Sequence, residues 1–184
     1  MTTTDRPPMT GTSLGPSAFR AATRRLPTTV VVAGGLRDGS PVGMLVGTFT
    51  SVSLDPLLVG FLGDRGSSTL PLLLELEHMS FSVLDQDDIE AANRFRKPLD
   101  ERFADLAWSV SAHGTPVIET AVMTFHTTVH SVIPAGDHQL VLGEVIAIEQ
   151  RHPARRPLVF AEGRMTRLDP MHVVGAYVWE LGWE

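Results

Sequence analysis

Apolar residues in this chain recur mostly at every second position and are punctuated by Gly- and Pro-containing turns, a pattern of strands rather than of long helices. Ser17 to Arg25 predicts a short helix, with Ser17 as its N-cap and Pro27 as its stop, before a β-branched strand over Thr28 to Ala33. Arg37-Asp38-Gly39-Ser40 reads as a hairpin turn into a strand over 42–53, and Leu57 to Leu62 is an apolar run of strand length. A loop over Gly63 to Thr69 leads to a Leu-rich helix from Leu70 to His78, capped by Ser68 or Thr69 with Pro71 in its first turn. Phe81 to Leu84 is a short strand, and Asp85 opens a helix to Phe95. The stretch from Lys97 to Glu119 is mixed. Two long strands, Ala121 to Ile133 and Gln139 to Glu149, flank the turn Pro134 to His138, and Leu158 to Arg167 is a last strand before an amphipathic helix from about Asp169 to Leu181.

At least six strands thus meet only a few helices, and the two longest are hairpin neighbours. The prediction is a mainly β fold, an antiparallel barrel or sandwich rather than a parallel α/β sheet. With 184 residues, 43% of them hydrophobic, the chain has material for one well-buried domain and a tail. The divisions expected are a disordered leader over 1–16, rich in Thr, Pro and Gly, a single domain over 17–168 and a C-terminal extension over 169–184.

Charge and cysteine content then remove whole classes of chemistry. A net charge of −6 argues against a nucleic-acid or anionic-membrane partner, since either calls for a clustered cationic face. The densest basic segment, Arg151-His152-Pro153-Ala154-Arg155-Arg156, is short and Pro-interrupted and reads as a solvated loop. With no cysteine there are no disulfides, thiolate metal sites or thiol nucleophiles. No apolar window reaches the length of a membrane span and the N-terminus lacks a signal-peptide core, so the expected location is cytoplasmic. Of the seven histidines, His126 and His130 share a strand face but, at about 3.3 Å per residue, lie roughly 13 Å apart, too far for one ion. No metal site is expected. A nucleophile elbow, a P-loop and a dinucleotide-binding glycine fingerprint are likewise missing.

What remains points to a bound ligand. Thr48-Phe49-Thr50-Ser51-Val52-Ser53, before Leu54-Asp55-Pro56, ends an apolar run in small hydroxyl residues, which suit a phosphate or a polar ring edge. The same residues equally describe an ordinary Thr-rich strand ending in a turn. Arg65-Gly66-Ser67-Ser68-Thr69 runs into a helix N-terminus and reads either as a phosphate cradle or as a plain helix cap. His138, at the end of a Gly-Asp-His turn between the longest strands, offers an imidazole that donates a hydrogen bond or carries charge near neutral pH, or is simply a turn residue.

These pieces occur in a familiar order. Asp38 to Met44, Thr48 to Pro56, Ser67-Ser68-Thr69 with Pro71, Gly136-Asp137-His138 with Leu142-Gly143-Glu144-Val145, and Pro157 to Phe160 with Gly163 together resemble the flavin reductase family. Its members are the small components of two-component flavin monooxygenases, and the similarity runs from about Phe19 to Met165. The resemblance implies a Greek-key split antiparallel β-barrel with a few peripheral helices, usually a homodimer. It implies that Thr48, Phe49, Thr50, Ser51, Val52 and Ser53 lie along the flavin, that Ser67, Ser68 and Thr69 hold its phosphate, and that His138 stands near flavin and nicotinamide as the catalytic residue. The implied reaction is hydride transfer from NADH or NADPH to FMN or FAD, with the reduced flavin passing to a partner monooxygenase. Three positions depart from the family pattern: Ser82, assigned to the cofactor site where Asn is common, Leu70 where an aromatic is common, and Met165 where Tyr is common. They leave open a flavoenzyme with its own small organic substrate, or a protein that kept the fold without the reductase chemistry. Tyr177, Trp179 and Trp183 in the extension read as helix-on-barrel packing or as a cover for the site or the partner subunit.

Overall fold

In a computed structural model that describes residues 15–168, twelve strands and three short α-helices follow one another along the chain. Helix α1 (Pro16–Thr23) precedes β1 (Thr28–Thr29), β2 (Val31–Arg37), β3 (Ser40–Val46), β4 (Thr50–Leu54) and β5 (Leu57–Asp64). Helix α2 (Leu70–Leu74), β6 (His78–Val83), α3 (Ile89–Arg94) and a 3₁₀ turn at Leu99–Glu101 lead to the small hairpin β7 (Trp108–Val110) and β8 (Pro116–Ile118). The long hairpin β9 (Met123–Ala135) and β10 (His138–Glu149) comes next, then β11 (Val159–Ala161) and β12 (Arg164–Thr166). The leader and the predicted terminal helix lie outside the described residues, apart from Gly15 and Pro16. Among the described residues no helix is long and apolar enough to cross a membrane.

Seven strands form one antiparallel sheet in the order β3-β2-β6-β9-β10-β5-β4, curled so that one face encloses a core. Alternation explains its composition: Val31 and Ala33 of β2, Val59 and Phe61 of β5, Met79 and Phe81 of β6 and Val141 of β10 point inward. Phe81 meets Phe61 and Phe49 with ring centroids 5.5 and 4.9 Å away, and Phe125 adds a fourth ring 5.4 Å from Phe49. The other face of β2 carries Val30 and Val32 into a second core with α3, Phe95, Phe103, Ile118 and Leu158. With both faces covered, the middle of β2 is buried residue after residue, as expected of a central strand.

Several predicted boundaries are corrected. The run over 42–53 is two strands, because the chain leaves β2 at Gly47 and crosses to pair with β5. Ser17 lies inside α1, whose N-cap is Gly15 without a side-chain bond. Asp88, not Asp85, caps α3 by accepting from the Ala91 N–H at 3.1 Å, while the buried Asp85 pairs with Arg155. The helix after the Ser-rich loop stops at Leu74, and the predicted last strand is the hairpin β11–β12, turned by Glu162 and Gly163 at positive φ.

A buried polar cluster ties the small hairpin to the sheet. His126 is fully buried: its Nε2–H donates to Glu149 Oε1 at 3.1 Å, and its Nδ1 accepts from the Thr115 hydroxyl at 2.8 Å. The His113 ring lies over it with centroids 4.8 Å apart, and Arg151 shares Glu149. Burial, opposed by the Glu149 charge, holds the His126 imidazole below its ordinary value. The unfolded chain therefore takes up this proton first as pH falls, so stability present above about pH 6.5 is lost below it. Thermal unfolding between pH 7.5 and 5.5 should show a falling midpoint, and His126→Gln should flatten that fall.

Candidate functional site

Inward side chains fill the barrel with a packed core, and a groove lies on the outer face of β4, β5, β10 and β9. Strand register arranges that face in rows. Ala135, His138 and Asp64 form one, Ile133, Leu140 and Leu62 the next, and Ser131, Leu142, Gly60 and Thr50 a third. Thr48 continues the second row through its side chain: Oγ1 accepts from the Leu62 N–H at 2.8 Å and donates to the Leu62 carbonyl at 3.2 Å. A hydroxyl thus replaces a backbone pair where the ladder between β4 and β5 has ended. Gly60 is needed in the third row because a Cβ there would stand 3.0 Å from both Val52 and Leu142.

Over the His138 end of these rows lies α1, and between them is a groove of about 510 Å³ lined by Phe19, Arg20, Thr23, Thr48, Leu62 and His138 among others. His138 opens β10 two residues after Gly136, which takes the left-handed conformation of the turn. Its Nδ1–H donates to Asp137 Oδ1 at 2.7 Å, leaving Nε2 as the second functional nitrogen of a half-exposed ring. The hydrogen bond from His138, then its charge, holds the Asp137 carboxyl below the usual carboxylate range, with Arg20 adding to the effect. Asp137 therefore stays ionised and keeps the imidazole anchored through Nδ1.

The structure brings some of the predicted residues to this face and spends others on packing. Thr48 and His138 share the groove, and Thr50 follows on the same face. Ser51 and Val52 are exposed on β4, an edge strand whose outer side has no partner strand, while the Ser53 hydroxyl accepts from the Asp55 N–H. Phe49 instead points into the core. Thr69 is the N-cap of α2, as predicted, but makes no side-chain cap bond; the Ser67 hydroxyl accepts from the Thr69 and Leu70 N–H groups at 3.2 and 3.1 Å instead. Ser68 is exposed. Thr69 is buried, and its hydroxyl accepts from Arg102 Nη1 at 2.9 Å. Ser82 lies beneath the small hairpin, bonded to Thr124 at 3.2 Å and accepting from the Ile118 N–H, with no opening to the groove.

Sequence reasoning missed Arg102, Arg20 and Asp137. Arg102 also donates to the carbonyls of Gly43 and Lys97, joining three segments behind the Ser-rich loop, and burial lowers its pKa. Only the hydrogen-bond potential of an acidic residue next to His138 was a usable local signal. The residues suit a flavin: an apolar floor at Leu62 for a ring, a free strand edge with hydroxyls for its polar margin, and cationic side chains for a phosphate.

Fold and groove define a split-barrel protein with a candidate ligand groove on the outer sheet face. The chain belongs to the family described as flavin reductase like domain, which matches residues 23–169. It is 37% identical to a flavin reductase of Pseudomonas putida over 134 residues, 72% of this chain and 79% of that one. It is 35% identical to an NADH:FMN oxidoreductase of Rhodococcus erythropolis over 168 residues, 89% and 88% of the two chains. The structure superposes with a TM-score of 0.79 and 32% identity on the NADH:FAD oxidoreductase SgcE6 of Streptomyces globisporus, in complex with NAD and FAD fragments, covering 84% of this chain and 93% of that chain. Reductase components of flavin-dependent monooxygenases also occur among its relatives.

Thr48→Val keeps the shape and removes both bonds to Leu62. It should lower stability by about 1–2 kcal/mol in urea unfolding, with the midpoint shifted and the slope unchanged.

Proposed function

We propose that this protein is an NAD(P)H:flavin oxidoreductase that transfers hydride from NADH or NADPH to FMN or FAD and supplies reduced flavin to a monooxygenase. The observation that carries the reading is the convergence of His138, Leu62, Thr48 and the free hydroxyl-rich edge of β4 on one face outside a filled barrel. Flavin held on this face would supply the hydride acceptor for the nicotinamide.

The chain's own tasks are then positional and electrostatic. Leu62, with Leu140 and Leu142 beside it, gives an apolar bed for a ring and excludes water beneath it. Thr50, Ser51 and Ser53, with the unpaired backbone groups of β4, meet a polar ring edge, and Ser67 with Ser68 meets the phosphate. Thr69 acts from behind by holding that loop to Arg102, and Ser82 supports the sheet beneath the small hairpin. His138, fixed by the ionised Asp137, presents Nε2 and favours negative charge developing on the ring. No strong acid, nucleophile or metal is needed, which suits a chain without cysteine and, among the described residues, without a cluster of metal-ligating side chains.

Purified protein should oxidise NADH rapidly only when free FMN or FAD is added. His138→Ala should lower kcat about tenfold or more with little change in flavin affinity, and Ser67→Ala should raise the flavin Kd while sparing kcat. A wild-type protein without flavin-dependent NADH oxidation would overturn the assignment.

We further propose a homodimer assembled on the same sheet face. Leu62 and Ile133 share a row yet are 41% and 46% exposed, and Val52, exposed beside Gly60, extends the apolar surface. Sedimentation equilibrium should report two chains per particle, and Ile133→Asp should shift it to one.

A further inference from the structure

The groove at His138 does not end at Thr48. A second crevice of about 490 Å³ shares Arg20, Thr23 and Thr48 with it and continues past Arg24 and Gly47 to Phe160. A third, of about 210 Å³, shares Gly47 and Phe160 with the second and is closed by Leu45, Met165 and Arg96. Together they make one trough along α1, polar at the His138 end and apolar at the Met165 end.

Its lining is cationic: Arg20, Arg24 and Arg96 stand along it, and among the described residues none of the three is in a salt bridge. Arg20, Thr23 and Arg24 recur at the three- and four-residue spacing that puts them on one side of α1. Arg24 is also held in place: its carbonyl accepts from the Glu162 N–H at 2.8 Å, and its guanidinium packs on Gly163 so closely that a Cβ there would collide with it. Two guanidinium forks outside any salt bridge, with Thr23 and Thr28 hydroxyls beside them and the Asp64 and Asp137 carboxylates only at the His138 end, match phosphate oxygens. The slot between Phe160 and Met165 beyond them is apolar enough to seat a heteroaromatic ring of the same molecule.

We infer that this trough binds the diphosphate of a nucleotide, with Arg20 and Arg24 as its cationic partners. The inference rests on the reductase reading, which supplies two such molecules: the nicotinamide dinucleotide and FAD. In either case the other end of the molecule lies toward His138, and the residue at 165 shapes the far slot, which gives the Met in place of the family's common Tyr a consequence for ligand choice.

The test compares ligands that differ only in the adenylate half. Steady-state KM is measured for NADH and for reduced nicotinamide mononucleotide, and Kd for FAD and for FMN by quenching of flavin fluorescence, in wild type and in the Arg20→Gln/Arg24→Gln double variant. A rise of about tenfold for NADH with the mononucleotide unmoved assigns the trough to the dinucleotide, and a rise for FAD with FMN unmoved assigns it to FAD. Arg24→Lys, which keeps the charge, should recover part of the loss. Equal effects on both members of each pair, or no effect on any, would overturn the inference. Should the double variant not fold, ADP serves in the wild type: competition with NADH or with FAD supports the inference, and competition with neither overturns it. A wild type that turns over neither nicotinamide with FMN counts against the reductase reading instead.

Discussion

The placement of Phe49 in the barrel core governs the site. Its ring lies against Phe81 and Phe125 just before β4 begins, with Thr48 and Thr50 on either side of it exposed. Thr48 is thereby turned toward Leu62 and Thr50 toward the outer sheet face, and the chain between β3 and β4 is drawn across the mouth of the barrel. Without that buried ring the hydroxyls would have no fixed side, and the crossing from β2 to β5 would lose its anchor. A core residue thus sets the direction of the hydroxyls beside it.

The interior also decides what kind of chemistry the fold supports. Four phenylalanines and the inward aliphatic rows occupy the space a small barrel would otherwise offer a ligand. Binding is pushed to a surface face, where a cofactor is more open to exchange than in an enclosed cavity. That suits a protein whose product is a diffusible reduced cofactor, and it explains why the site contains anchoring groups rather than a buried catalytic dyad.

Where local turn chemistry or alternation decides structure, the sequence was legible. Asp38-Gly39 and Gly136-Asp137 turned the hairpins as read, and the long strands were found almost to their ends. The break at Gly47 was invisible because it depends on pairing with β5, and Ser82 looked available because the covering hairpin reaches it through Ile118, 36 residues away in sequence. The hydroxyls at 67 and 69 share one loop but differ in partner, since Thr69 is taken by Arg102, a contact no spacing rule reaches. Arg20 and Arg24 carried no signal, since cations on a short exposed helix are ordinary until the surface opposite them is known.

The free edge of β4 has a consequence beyond recognition. An unpaired strand edge with Val52 and Leu54 exposed is a template for another strand as well as for a ligand. The register shift between Ser51 and Ser53 bends that edge, and its small hydroxyl side chains keep it wettable. The protein therefore carries its guard against misassociation in the same five residues that it offers to a guest, and loss of the irregularity there would threaten solubility as much as binding.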